Sequence, residues 1–454
     1  MANPALGSFP MHDTRPGTPA LFDPEPFASR SLSAPGFLGL LGFLTVVLAA
    51  CSGQPQGPRV EVAAVWTGDE QGAFGEVLAA FEKRAGAKVT YTSTGDDIAA
   101  ILGTRIHGGN PPDVAILPQP GLLVDFARQG VLRPIQPVAG VEVEKNYAPV
   151  WRELGSVNGI LYGVWFKAAN KSTVWYNVHV LRNAGVQPPA SWADLLQAAK
   201  ILSDYGVPPF SVAGADGWTL TDWFENVYLR TAGPVLYDRL TRHEIPWTDP
   251  SVGVALGALA QIFGHADWLA GGIGGALQTD FPTSVTQMFR TPPKAAMVYE
   301  GDFVAGVIAG ETTAKPGTDA NFFNFPSIRD SPASVIVGGD VAVLLRESEG
   351  GKSLIRFLAS PEAGRIWARL GGFTSPNRSV SLPSYPDEIS RRSAEALHGA
   401  PVVRFDMSDQ MPAAFGGTPG QGEWAILQDF LRHPSEIRGT MQRLEAEAKQ
   451  AFVR

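Results

Sequence analysis

Val60, Val62, Ala64 and Trp66 alternate along the chain with the period of a half-buried strand. Gly68 breaks the run, and Phe74, Val77, Leu78 and Phe81 then recur at i, i+3, i+4 and i+7, one face of an amphipathic helix. Gly86 closes that helix, and Lys88 to Thr92 predicts a second strand. Asp97 is the expected N-cap of a helix carrying Ile98, Ile101, Leu102 and Ile106; Gly108 to Pro112 stops it, and Asp113 to Leu117 reads as a third strand. Strand, helix, strand, helix, strand implies a parallel α/β sheet with right-handed crossovers. The loops at its strand C-ends, Trp66 to Glu70, Ser93 to Asp97 and Pro118 to Pro120, would line a ligand crevice.

Farther on, two apolar runs, Tyr162 to Phe166 and Val174 to Asn177, flank a polar break from Lys167 to Ser172. The chain is read as leaving one α/β unit there and entering a second, so a cleft is expected at the crossing. In the second unit Ser191-Trp192-Ala193-Asp194 resembles a capping box ahead of Leu195, Ala198, Ala199 and Leu202. Gly217 to Asn226 is aromatic and polar together, and Ala295 to Tyr299 runs into Glu300-Gly301-Asp302-Phe303. Gly338-Gly339-Asp340 opens a strand to Leu345, and Ser360-Pro361-Glu362 begins a helix with serine at N-cap and proline at N1.

At 454 residues the chain can hold two or three ordinary cores, and 44% hydrophobic with 18% charged residues is the content of a folded protein. A net charge of −8 without a basic stripe argues against nucleic acid. The single cysteine excludes an internal disulfide and a thiolate metal cluster. Met1 to Pro35 shows no hydrophobic period and is expected to be disordered or untranslated; Phe37 to Ala50 is fourteen residues without a charge, the length of a signal-peptide core. Leu48-Ala49-Ala50-Cys51 resembles the lipobox of bacterial lipoproteins, with Cys51 as the lipidated residue. Residues 1–51 are thus read as leader and signal peptide, and 52–58 as a tether.

Phe81 to Gly86, Gly109-Asn110-Pro111-Pro112-Asp113-Val114, Tyr162 to Phe166, Trp175-Tyr176-Asn177, Ala184-Gly185 with Pro188-Pro189 before Ser191-Trp192, and Phe357 to Glu362 share order and spacing with a known family. Through them the chain, from about Val60 to Phe452, resembles the family-1 extracellular solute-binding proteins of carbohydrate ABC importers. The resemblance implies a two-lobe periplasmic-binding-protein fold of type II, with lobe one at 59–166 and 326–374 and lobe two at 167–325 and 375–454. It further implies a sugar or oligosaccharide ligand, such as an α-glucoside, a permease driven by a separate ATPase, no cofactor, metal or catalysis, a monomer, and a place outside the cytoplasmic membrane, anchored at Cys51.

Carried over by the resemblance, Trp66, Asp69, Glu70 and Gln119 fall where sugar hydroxyls are bound from the first lobe. Glu300, Asp302 and Phe303 resemble the aromatic ligand loop, and Trp223 and Trp424 the aromatic wall of the second lobe. Lys167 stands where the maltose binder has an acid. Aromatic faces cover sugar rings and carboxylates take hydroxyl protons, which makes these residue types the expected ligand set. Asp96 and Asp97 suit either capping or ligand contact, and Asp340 faces either hinge or solvent. Two other readings use the same acids: a glycoside hydrolase with paired carboxylates, and a binder of a cationic solute such as a polyamine. Gly350-Gly351-Lys352-Ser353 lacks the earlier glycine of a P-loop, and His243-Glu244 lacks the second histidine of a zinc protease.

Overall fold

The computed structural model describes residues 57–452. Leader, lipobox and Cys51 lie outside the described residues, as does the side chain of Asp96. In chain order the strands are β1 (Arg59–Ala64), β2 (Lys88–Ser93), β3 (Val114–Leu117), β4 (Ser156–Val157), β5 (Ile160–Leu161), β6 (Gly163–Asn170), β7 (Thr173–Asn177), β8 (Phe210–Ser211), β9 (Met297–Glu300), β10 (Ala320–Asn324), β11 (Ser334–Leu344) and β12 (Val402–Phe405).

The first sheet has the order β12-β11-β3-β1-β2, with β6 also paired to β11. β1 pairs parallel with β2 and β3, as the strand–helix alternation requires. β11 returns antiparallel to both β3 and β6, so the sheet is mixed. Helix Gly68–Ala85 buries Phe74, Val77, Leu78 and Phe81 against this sheet and ends on Gly86 at φ 60°, a left-handed residue that glycine adopts without a Cβ clash. The second sheet, β10-β7-β9-β8, has its own core around Leu220, Trp223, Phe224 and Tyr228 of helix Trp218–Thr241.

Three expectations change. The polar break at Lys167 is strand: Lys167 and Asn170 pair with Asp340 and Val337 of β11, and the chain turns from one sheet to the other only at Lys171-Ser172. β11 begins at Ser334, ahead of Gly338-Gly339, because those glycines let β6 lie close; a Cβ on Gly339 would come within 2.4 Å of the Lys167 carbonyl. Residues 375–454 divide between the cores: Val380, Tyr385, Ala394, Leu397 and Phe405 join the first, and Met407 to Ala451 the second. The cause is β12, which extends the first sheet by pairing Val402 to Phe405 with Ser334 to Val337.

Asp113 fastens the first sheet. Its carboxylate takes Arg346 Nε (3.1 Å) and Nη2 (2.8 Å), Ser348 Oγ (2.6 Å) and the Glu61 amide (2.8 Å). Burial alone would raise its pKa, but these donors bring it below the usual range. Ser348 caps helix Glu349–Ala359, so Gly350 to Ser353 is an ordinary helical turn. Among the described residues, no helix is long and apolar enough to cross a membrane.

Candidate functional site

A cavity of about 1290 Å³ opens where elements of the two sheets meet. The turn after β1 delivers Trp66, and the start of helix Gly68–Ala85 delivers Asp69 and Glu70; β6 adds Lys167, β11 adds Asp340, and Trp367 and Phe373 complete this wall. The other wall is aromatic. Trp218 and Phe281 each stand first in a helix and Phe303 follows β9; their ring centroids lie 5.4 Å (218–281), 6.1 Å (218–303) and 5.3 Å (281–303) apart.

Lys167 is the charged centre of the first wall. Its ammonium pairs with Glu70 and lies 5.7 Å from the Trp367 ring centroid. Burial alone would depress its pKa, but Glu70 and Asp340 more than reverse this and hold it cationic. Asp340, opposite Lys167 in the strand pair, accepts from Trp66 Nε1 at 3.3 Å. Burial pushes its pKa up to about 6 against the pull of Lys167. Asp302 is raised by burial while accepting from Thr374 Oγ1 and Ser393 Oγ, both at 2.7 Å. Carboxyl groups, one ammonium and several ring faces suit a hydroxyl-rich ligand with apolar faces.

Of the residues expected from sequence, Trp66, Asp69, Glu70, Lys167, Asp302, Phe303 and Asp340 line this cavity. Trp66 does so only with its margin, being 2% exposed and packed edge-on against Phe74 and Trp367. The others lie elsewhere. Trp223 is core, 1% exposed and packed against Phe210, Tyr299 and Phe325. Glu300 is the last residue of β9 and points into the interior beside Asp222. Trp424 lies off the cavity, packed on Gly217. Gln119 donates to Asp409 Oδ1 at 3.1 Å, and exposed Asp97 makes no cap bond to helix Ile98–His107. Trp218, Phe281 and Trp367 are not among the ligand contacts expected from the sequence. The signal available was position, since aromatic residues opening a helix at a strand-side loop face a crevice.

Behind the aromatic wall Asp222, Glu225 and Asp406 bring carboxylate oxygens within 4.8 Å of one another. Lys171 Nζ supplies the positive charge there, bonded to Asp222 Oδ1 (3.3 Å) and to Asp406. Glu225 takes the Met407 and Ser408 amides at 2.6 and 2.9 Å and Tyr237 Oη at 2.8 Å. Burial raises Asp222 and Glu300 well above the carboxylate range, whereas Lys171 and hydrogen bonds from Asp222 and Ser408 hold Asp406 below it despite burial. The trio is thus part of an internal network of charges gathered around the Lys171 ammonium.

Residues 67–365 match the family model described as bacterial extracellular solute-binding protein. The chain is 33% identical over 398 residues to the osmoprotective compounds-binding protein GgtB of Synechocystis, covering 85% of this chain and 93% of that one. It is 30% identical over 390 residues to the alpha-glucosides-binding periplasmic protein AglE of Rhizobium meliloti, covering 83% and 84%. Among solved structures, the bacterial solute receptor AcbH, described with a preference for β-D-galactopyranose, superposes with a TM-score of 0.76 at 20% identity, covering 87% of this chain and all of that one.

Proposed function

The chain belongs to the bacterial extracellular solute-binding protein family, and on that premise we propose that its cavity captures a sugar or short glycoside for an ABC importer. Its fold is the two-lobe, maltose-binding-protein-like α/β architecture of its structural neighbours. The observation that carries the ligand reading is the pairing of walls. One presents Glu70, Lys167 and Asp340, and the other presents the rings of Trp218, Phe281 and Phe303. Hydroxyls suit the first and a pyranose face the second. The proposed ligand contacts are Asp69, Glu70, Lys167, Asp302, Phe303 and Asp340, with Trp218, Phe281 and Trp367 added. Relatives named for osmoprotective compounds and alpha-glucosides direct the choice toward small glucosides.

The lobes close about the β6–β7 crossing, so ligand that touches both walls stabilises the closed form. We assign the anchor to a lipidated Cys51, the docking partner to a two-subunit permease with a separate ATPase, and the working state to a monomer. Calorimetry against small α-glucosides, trehalose, sucrose and maltodextrins tests the ligand reading. A saturable heat for at least one is expected, with compaction in solution scattering; silence across the panel sinks it. Detergent-phase partitioning that is unchanged by Cys51→Ser sinks the anchor.

A further inference from the structure

Lys171 stands at the turn from the first sheet to the second, and it reaches both. Its amide donates to the Ile336 carbonyl on β11 (2.9 Å). Its carbonyl accepts from Asn226 Nδ2 and Tyr299 Oη, both at 2.9 Å, on a helix and a strand of the second body. The side chain runs past Gly338 of β11, where an added Cβ would sit 3.0 Å from Lys171 Cε. The ammonium ends between Asp222 and Asp406 and lies 5.6 Å from the Trp218 ring centroid. Asp222 and Trp218 are one turn apart on the same helix face, so one carboxylate and one ring receive the same ammonium. Trp218 is half-buried and its remaining surface lines the ligand cavity. Only 14% of the Lys171 side chain is exposed, so its attraction to the ring acts largely out of water, where such contacts are strongest.

We propose that Lys171 is a positioning residue. From the hinge it fixes the Trp218 ring as a ligand platform, so ring position and lobe angle change together. The inference rests on the saccharide reading and adds to it a hinge residue that acts without touching ligand. Hinge rotation changes the backbone torsions at Lys171, and the ammonium transmits the change to Trp218 through Asp222 and the ring face.

The test is a double-mutant cycle in the full chain, with the best-binding saccharide of the panel. Lys171→Met and Trp218→Ala are each expected to weaken binding by roughly tenfold or more, and the double variant no more than about twofold beyond the weaker single. Lys171→Arg keeps the charge and restores affinity to within about threefold. The ligand-induced tryptophan emission change that disappears in Trp218→Ala is also expected to disappear in Lys171→Met and to return in Lys171→Arg. Should Lys171→Met not fold, Asp406→Asn, which loosens the ammonium without removing it, must weaken the same emission change. Independent effects in the cycle, or wild-type affinity and emission in Lys171→Met or Asp406→Asn, overturn the proposal while leaving the saccharide reading intact. No heat from wild-type protein with any saccharide overturns both.

Discussion

Asp340→Asn is the substitution whose sign separates burial from ion pairing at the cleft. Asp340 is 9% exposed, and its pKa stands at about 6 against an ordinary 3.8. The folded protein therefore binds this proton more tightly than the unfolded chain. The resulting stabilisation is fully present below pH ~4 and is lost as pH rises through 6. A shift of about two units corresponds to about 3 kcal/mol by pH 8. Asparagine mimics the neutral acid at every pH. Urea denaturation of ligand-free protein should show the variant within about 0.5 kcal/mol of wild type at pH 4 and about 3 kcal/mol more stable at pH 8. A variant less stable at pH 8 would mean that attraction to Lys167 outweighs desolvation of Asp340. A gap of constant size across pH would mean that Asp340 does not titrate in this window. Either result refutes the reasoning.

Three further outcomes follow from the geometry. Asp113→Ala, which strands the Glu61 amide and frees Arg346, should cost about 3 kcal/mol of stability in urea titration and leave saccharide affinity unchanged. Trp223→Phe should cost roughly 1–3 kcal/mol of stability with affinity within about twofold of wild type; a larger affinity loss would return Trp223 to the cleft. Phe303→Ala removes one ring of the second wall and should weaken binding roughly tenfold by calorimetry, with little change in urea midpoint because the side chain is only half-buried.

Local signals were legible where a single element satisfies them. The helix face at Phe74, Val77, Leu78 and Phe81, the stop at Gly86 and the Ser191–Asp194 capping box depend on residues a few positions apart, and all three form as read. Lys167 was legible as a cleft residue because it sits in the first crossing strand. What stayed hidden needs distant partners. Trp218 and Trp223 share one aromatic stretch, and only the helix's rotation against β9 turns the first to the cavity and the second to the core. Glu300 and Asp302 are two residues apart, yet the end of β9 buries one with Asp222 while the loop gives the other to Thr374 and Ser393. The Lys171 network draws on positions 171, 222, 225 and 406, which no motif spacing unites.

The strand order also imposes a timetable. Every strand of the second sheet lies between residues 173 and 324, whereas the first sheet opens at residue 59 and receives its last strand at 402–405. A chain emerging from the ribosome therefore holds a complete second sheet while the first still lacks β11, the strand that β3, β6 and β12 all require. The first-made lobe is the last that can close, and until then β3 and β6 present unpaired edges. Strand pairs so far apart in sequence make the closing of the first sheet the slow step of folding.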